Sequence, residues 1–247
     1  MPLPLSELLI AQRQTRDLIT SLPAALVPAD LAAAYQVQTE TVAALGPVGS
    51  WKVQPYPDGG EPMASPIPRS VVFANGAEID LDSPARLLVE AEIAVTLSAD
   101  LPGIAGGYDI ATLRAAIGTA HLALEILASR FADPKQLPAL VGIADLQSNG
   151  AVVVGPAVPF ADLAELASQV MDLRVDGASI GRVSEGPSTE RTLRSLTWLA
   201  NHAAARGLPL KAGDTVITGA RIGALPLDGK ALAIEAPGFA PVTATIG

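Results

Sequence analysis

The spacing of apolar positions changes partway along the chain. Leu8, Leu9, Ile19 and Leu22 lie among polar neighbours, which predicts a first helix capped by Ser6 and running to about Ser21. Pro28 and Asp30 open a second helix, whose apolar stripe is Leu31, Tyr35, Val42 and Leu45 and which Gly46 stops. From Ser50 the helical period gives way to short apolar runs, WKV, RSVVFA, LLVEAEIAVTL, LALEIL and AVVVG, set apart by Pro, Gly, Asn and Asp. These predict strands. One helix interrupts them from Asp109, with Ile110, Leu113 and Ile117 on its stripe. Another starts at Ser188 or Thr189, carries Leu193, Leu196 and Leu199, and ends at Gly207. Met171, Leu173 and Val175 alternate up to Asp176-Gly177, a hairpin signal. The C-terminal AGDTVITGA and GKALAIEAPGFAPVTATIG predict further antiparallel strands.

Together these elements predict an α+β fold. A helical N-terminal segment over 1–48 packs on a β-rich body over 49–247, a mixed-sheet roll or sandwich, the whole forming one structural domain. No internal repeat or long linker divides the chain, and neither a dinucleotide fingerprint nor a phosphate-loop lysine pattern is present.

Composition narrows the chemistry. With 49% hydrophobic residues in 247 there is material for a substantial core. Sixteen basic against 25 acidic side chains leave a formal charge of −9, which repels nucleic acid and anionic membrane surfaces. The absence of cysteine excludes disulfides, thiolate zinc sites and cysteine nucleophiles, and agrees with a reducing, cytoplasmic setting. No apolar run approaches the ~18 residues of a membrane helix, and the first residues, with Arg13 and Arg16 early, resemble neither a secretory signal nor an anchor.

Against this background the run Val89–Val95, VEAEIAV, is unusual. On a strand Glu90, Glu92 and Ala94 share one face and Val89, Ala91, Ile93 and Val95 the other. A half-buried strand with a solvated acidic side accounts for this segment taken alone. Glu125, again a carboxylate inside an apolar run, adds a third acid. Burying unpaired carboxylates costs several kcal/mol, and gathering them raises at least one pKa unless a cation neutralises them. A salt bridge from Glu125 to Arg130 or Lys52 is one solution. A divalent metal is another, and three glutamates without clustered histidines form a hard oxygen-donor set suited to Mg²⁺ or Mn²⁺.

At the level of motifs, VEAEIAVTLSADLP (89–102), ALEILASRF (123–131), GIADLQSNGAVVVG (142–155) and LTWLANHAAARGLPLKAGDTVITGA (196–220) resemble those of the 2-keto-4-pentenoate hydratases and 4-oxalocrotonate decarboxylases of the fumarylacetoacetate hydrolase superfamily. The resemblance covers most of the chain and implies a fold like the C-terminal domain of that superfamily. It implies Glu90, Glu92 and Glu125 as metal ligands for Mg²⁺ or Mn²⁺, and Lys52, in GSWKVQP, as the lysine bordering the active site. Asp145 and Asn149 are candidates for contacting substrate or orienting a site residue, and equally for turn or cap positions. Where the hydratases continue the lysine with glycine, a hydrophobe, Thr and Ser, this chain has Val53, Gln54, Pro55 and Tyr56; it also has Ala220 where many relatives carry serine.

The activity so implied is a metal-dependent hydro-lyase adding water to a 2-hydroxy-2,4-dienoate to give a 4-hydroxy-2-oxo acid, in aromatic compound catabolism. A decarboxylase on the same scaffold is the second reading, and a catalytically silent relative that binds a small acid or supports a partner enzyme is the third. The ligand is a small 2-oxo acid. The resemblance further implies a homo-oligomer, able to associate with a partner enzyme of the same pathway. Arg69, Arg130 and Arg221 are open to binding a second carboxylate without a pattern that selects one. Neither His121 nor His202 belongs to a Ser-His-Asp arrangement.

Overall fold

A computed structural model of the chain describes residues 4–81, 83 and 85–247. Helices α1 (Leu5–Thr15), α2 (Leu31–Leu45), α3 (Ile110–Ala116), α4 (Ala139–Ala144) and α5 (Thr189–Ala205) accompany thirteen strands among the described residues. In chain order these are β1 (Val48–Val53), β2 (Ala64–Pro68), β3 (Val72–Ala74), β4 (Ala77–Ile79), β5 (Leu88–Leu97), β6 (Ile117–Leu127) and β7 (Asn149–Val154). They continue with β8 (Val158–Pro159), β9 (Met171–Val175), β10 (Ala178–Val183), β11 (Thr215–Pro226), β12 (Ala231–Glu235) and β13 (Val242–Ile246).

The strands form two mixed sheets. The larger runs β2-β1-β11-β5-β6-β7-β3, with β8 also on β6, and the smaller runs β10-β9-β12-β13-β4. Their facing sides make the main core: Val89, Ala91 and Ile93 of β5 and Leu122, Leu124 and Ile126 of β6 meet Leu173, Leu232, Ile234 and Val242 of the smaller sheet. A second cluster lies under α3 and α5. There Leu193, Leu196, Leu199, Ala200 and Ala203, spaced to share one helical face, pack on Trp51, Val95 and Val216. Each fully buried leucine of that stripe contributes about 1.5–3 kcal/mol. The α5 helix begins where Ser188 Oγ accepts the Arg191 amide at 3.1 Å. No helix among the described residues is long and apolar enough to cross a membrane.

Several elements differ from the sequence expectation, each for a local reason. Helix α1 stops at Thr15, because Arg16 takes a left-handed φ of 65° and closes the last turn onto the Gln12 carbonyl. Ser6 lies inside this helix and does not cap it; its hydroxyl donates to Glu40 Oε2 at 2.7 Å, tying α1 to α2. Leu31 is exposed, and the buried face of α2 is Ala34, Tyr35, Gln38, Thr41 and Val42. Gln38, the amide on that face, is matched: its Nε2 donates to the Ser65 hydroxyl and the Ile143 carbonyl. Ile117 starts β6 instead of ending α3. The C-terminal strands are not all antiparallel, since β11 pairs in parallel with β1, and β13 with β4. The Asp176-Gly177 hairpin forms as expected, with both residues at positive φ, 48° and 82°.

Candidate metal centre

The central antiparallel pair places the acids. In β5 and β6, Glu90 stands opposite Glu125 and Glu92 opposite Ala123, so the three carboxylates share the face turned away from the main core. A carboxylate oxygen from each of Glu90, Glu92 and Glu125 lies within 4.8 Å of the others. Glu92 and Glu125 are 1% and 0% exposed, which takes water away as their counter-charge. Strand β1 brings Lys52 to the same place. Its ammonium donates to both oxygens of Glu125, at 2.7 and 2.6 Å. The salt bridge and the convergence of acids, two separate possibilities in the sequence, thus occur together.

The neighbouring backbone is shaped to these groups. Strand β11 breaks register between Ile217 and Ala220, and Gly219, at φ 100°, donates its amide to Glu92 Oε2 at 2.7 Å. Only glycine fits, since a Cβ there would lie 2.4 Å from Pro55 Cδ as well as at an unfavourable φ. Beyond α4, Leu146, Gln147 and Ser148 take φ of 51°, 52° and 60°, three consecutive left-handed residues without a glycine. Such a turn costs about 1–2 kcal/mol per residue. It is held by Ser65, whose hydroxyl donates to Gln147 Oε1 at 2.9 Å, and by Ala128, whose amide donates to the Ser148 carbonyl at 2.8 Å. The turn delivers Asn149, whose Nδ2 donates to Glu125 Oε1 at 2.8 Å.

Asp145 stands one step back. It is buried against Arg130, which reaches its Oδ1 through Nε at 2.5 Å, its carbonyl through Nη2 at 2.9 Å and the Asn149 carbonyl through Nη1 at 2.7 Å. Asp145 therefore positions the Asn149 segment through Arg130 and is not among the residues lining the cavity over the acids. That cavity, about 500 Å³, is lined by Lys52, Glu90, Glu92, Gln147 and Arg191, with Pro55 and Ala220 in its wall.

Electrostatics at the centre are unbalanced. Three carboxylates against one ammonium leave two negative charges in excess when all are ionised (−3 + 1 = −2). Burial pushes Glu90 up to about 7, with Lys52 drawing it down and Glu125 pushing it up. Burial, Glu125 and Glu90 hold Glu92 well above the ordinary carboxylate range. Burial lowers the Lys52 ammonium while Glu125, Glu90 and Glu92 raise it, and the charges prevail.

Of the arginines considered from sequence, Arg130 is committed to Asp145, Arg221 donates to the Leu166 and Pro187 carbonyls at 2.7 and 2.8 Å, and Arg69 lines a separate cavity with Trp51 and Asp214. The arginine that does reach the cavity, Arg191, carries no signal in its own segment. Its Nε donates to the Tyr56 carbonyl, 135 positions earlier in the chain.

The histidines are structural. His121 Nδ1 faces the Gly155 carbonyl at 2.9 Å and must donate, so Nε2 accepts from the Thr96 or Thr119 hydroxyl at 2.9 and 3.0 Å. Burial lowers its pKa. His202 stacks on Trp198 at 4.4 Å, and burial, then Arg206, pushes it from 6.5 down to about 4. A folded pKa below the unfolded one means the neutral ring stabilises fully above pH 6.5, and this contribution is lost as pH falls toward 4. Allowing for the ring's partial exposure, His202→Phe is expected to remove about 1 kcal/mol of the pH dependence in that window. Urea titrations at pH 7 and pH 4.5 measure it; parallel losses in both proteins would contradict it.

Comparison with known proteins bears on this geometry. The family described as fumarylacetoacetate (FAA) hydrolase C-terminal matches residues 33–247. A 2-keto-4-pentenoate hydratase of Burkholderia vietnamiensis (strain G4 / LMG 22486) is 32% identical over 151 residues, 61% of this chain and 56% of that protein. A TodF product hydratase of Pseudomonas putida (strain ATCC 700007 / DSM 6899 / JCM 31910 / BCRC 17059 / LMG 24140 / F1) is 34% identical over 173 residues, 68% and 62% of the two chains. The chain thus spans less than two thirds of the length of these relatives. Among solved structures, 4-oxalocrotonate decarboxylase from Pseudomonas putida G7, complexed with magnesium and adipate, superposes with a TM-score of 0.84 at 20% identity, over 98% of this chain and 96% of that one. Fumarylpyruvate hydrolase from Pseudomonas aeruginosa, in complex with Mn²⁺ and pyruvate, gives 0.58 at 15% identity, over 80% and 88%. These two likenesses establish the fold.

Proposed function

The chain belongs to the fumarylacetoacetate hydrolase C-terminal family, and from that membership we propose that it is a metal-dependent hydro-lyase, adding water to a 2-hydroxy-2,4-dienoate to give a 4-hydroxy-2-oxo acid. The observation that carries the reading is the meeting of Glu90, Glu92 and Glu125, with Lys52 on Glu125, under one cavity. The names of the relatives at 32% and 34% identity favour hydration over the other chemistries of the family.

The residues fit a hard divalent cation. Their donors are all carboxylate oxygens, and their excess of two negative charges is what such an ion neutralises. Of the roughly four lone-pair sites on the Glu125 carboxylate, three face Lys52 and Asn149, so Glu90 and Glu92 have the greater share left for an ion. Asn149 Oδ1, buried with no partner, is a further unused acceptor beside them. Mg²⁺ or Mn²⁺ is the ion proposed, in keeping with the magnesium and Mn²⁺ complexes of the structural neighbours. A divalent ion held by Glu90, Glu92 and Glu125 would supply a Lewis acid to the 2-oxo acid.

In the proposed reaction the 2-hydroxyl proton is lost and one is gained at C5, giving a 2-oxo-3-enoate. Water then adds as hydroxide at C4 and a proton at C3. Lys52 is the proposed catalytic residue. Its Nζ, kept protonated by the three carboxylates and fixed on Glu125, can hold the substrate or hand on a proton. Asn149 and the Gly219 amide fix Glu125 and Glu92, and the Asp145 side chain acts on them through Arg130. Assembly as a homo-oligomer, with a partner enzyme of the same pathway, belongs to the same proposal and rests on family likeness.

With Mg²⁺ and 2-hydroxypenta-2,4-dienoate, the conjugated absorbance is expected to decay and the product to gain the mass of one water, and a chelator is expected to stop both. A product lighter by carbon dioxide, from a dienoate bearing a second carboxylate, would replace the hydratase by the decarboxylase. A folded protein inert toward a panel of 2-oxo acids and dienoates would leave only the silent small-acid binder.

A further inference from the structure

Arg191 has donors to spare. It lies in the first turn of α5, and Nε is committed to the Tyr56 carbonyl. Nη1 and Nη2 make no hydrogen bond or ion pair among the described residues, although the side chain lines the cavity with Glu90, Glu92 and Lys52. Lys52, the other cation there, is already bound to Glu125. A planar fork of unused N–H groups facing a cavity matches a carboxylate in both charge and shape.

The wall carrying this guanidinium is pinned at two points. Pro55 packs on Gly219, where no side chain would fit, and the Tyr56 ring lies 4.3 Å under the Arg194 guanidinium. Arg191 is therefore held before any ligand arrives, which lowers the ordering cost of binding. Tyr56 is four residues beyond Lys52, a separation that extended chain can stretch to about 14 Å. Glu90, Glu92 and Lys52 line the same cavity as Arg191, which is anchored at Tyr56.

We propose that Arg191 binds a second carboxylate at the far end of the 2-oxo acid, so that this chain takes dicarboxylic 2-oxo acids in preference to those with a hydrocarbon tail. The inference rests on the preceding reading, in which the three glutamates anchor the 2-oxo end. It also gives Val53–Tyr56, the segment that departs from the hydratase pattern, a purpose: its backbone holds the specificity residue. An ion pair on the distal carboxylate opposes its departure as neutral carbon dioxide, which agrees with hydration.

Calorimetric titration in the presence of Mg²⁺ tests it with two unreactive acids of equal length, 2-oxoadipate and 2-oxohexanoate, which differ in the distal carboxylate. The wild type is expected to bind 2-oxoadipate about tenfold or more tightly. Arg191→Gln should bring the two affinities within about threefold by weakening only 2-oxoadipate, and Arg191→Lys should keep part of the preference. Equal binding of both acids by the wild type overturns this inference alone. Equal weakening of both by Arg191→Gln also overturns it, because Arg191 would then act on the shared end or on the wall itself. Failure of the folded wild type to bind either acid overturns the anchoring role of the glutamates, and this inference with it.

Discussion

Glu92→Gln is expected to lower turnover of the dienoate by about a thousandfold or more while leaving the fold intact. The effect follows from what the carboxylate does at the centre. It accepts the Gly219 amide at 2.7 Å and stands within 4.8 Å of both other acids. Glutamine keeps an oxygen for the amide but takes one negative charge from the donor set. Loss of an electrostatic contact that acts on developing charge costs on the order of 10²–10³ in rate, and weaker metal binding adds to it. Stability should move the other way. In the metal-free variant a neutral amide stands where burial, Glu125 and Glu90 oppose ionisation of the wild-type carboxyl, so its melting temperature is expected to equal or exceed that of the wild type. Metal titration, steady-state rates and thermal melts on the same preparations separate the outcomes. A variant that keeps wild-type turnover at saturating Mg²⁺ would remove Glu92 from the ligand set. One that fails to fold would contradict the charge balance drawn above.

Arg130→Met is expected to give the largest stability loss, about 3 kcal/mol, from the lower end of the range for stripping one partner from a buried ion pair. Asp145 and Arg130 are 1% and 4% exposed, so water cannot replace the lost partner. The estimate sits at the lower end because Arg13 also interacts with Asp145; burial and then Arg130 push Arg13 down to about 9, and removing Arg130 relieves it. For a domain of this size the loss corresponds to a fall of about 6–12 °C in melting temperature. Metal affinity should drop as well, since Arg130 holds the carbonyl of Asn149, which in turn donates to Glu125. Pairing the change with Asp145→Leu should restore most of the stability and little of the metal affinity. A single variant within 1 kcal/mol of wild type would show that the ion pair is dispensable.

What could be read from the sequence depended on how local its cause was. The alternation through Glu90 and Glu92 is a property of one strand, and the acidic face it implied exists. The α5 stripe and the Asp176-Gly177 turn are local in the same sense, and both formed as expected. Arg16 ended α1 early by taking a left-handed conformation that favours glycine or asparagine, so nothing in its type announced the stop. The parallel pairing of β1 with β11 joins segments more than 160 residues apart, beyond the reach of periodicity. Arg191 is the clearest case. Its importance comes from Tyr56 and the glutamates brought near by that pairing, while its own helix offers only an ordinary polar position. The left-handed run at Leu146–Ser148 likewise carries no glycine that would mark it.

The face-to-face placement of Glu90 and Glu125 also governs how the chain finds its sheet. β5 and β6 form a long antiparallel pair in which Val89, Ala91 and Ile93 stand opposite Ile126, Leu124 and Leu122. Shifting either strand by one residue would send its own acids into the oily layer between the sheets. With apolar residues at those positions the two strands could pair almost as well out of step; the charged face leaves one alignment open during folding, so the residues proposed for chemistry also keep the sheet from assembling incorrectly.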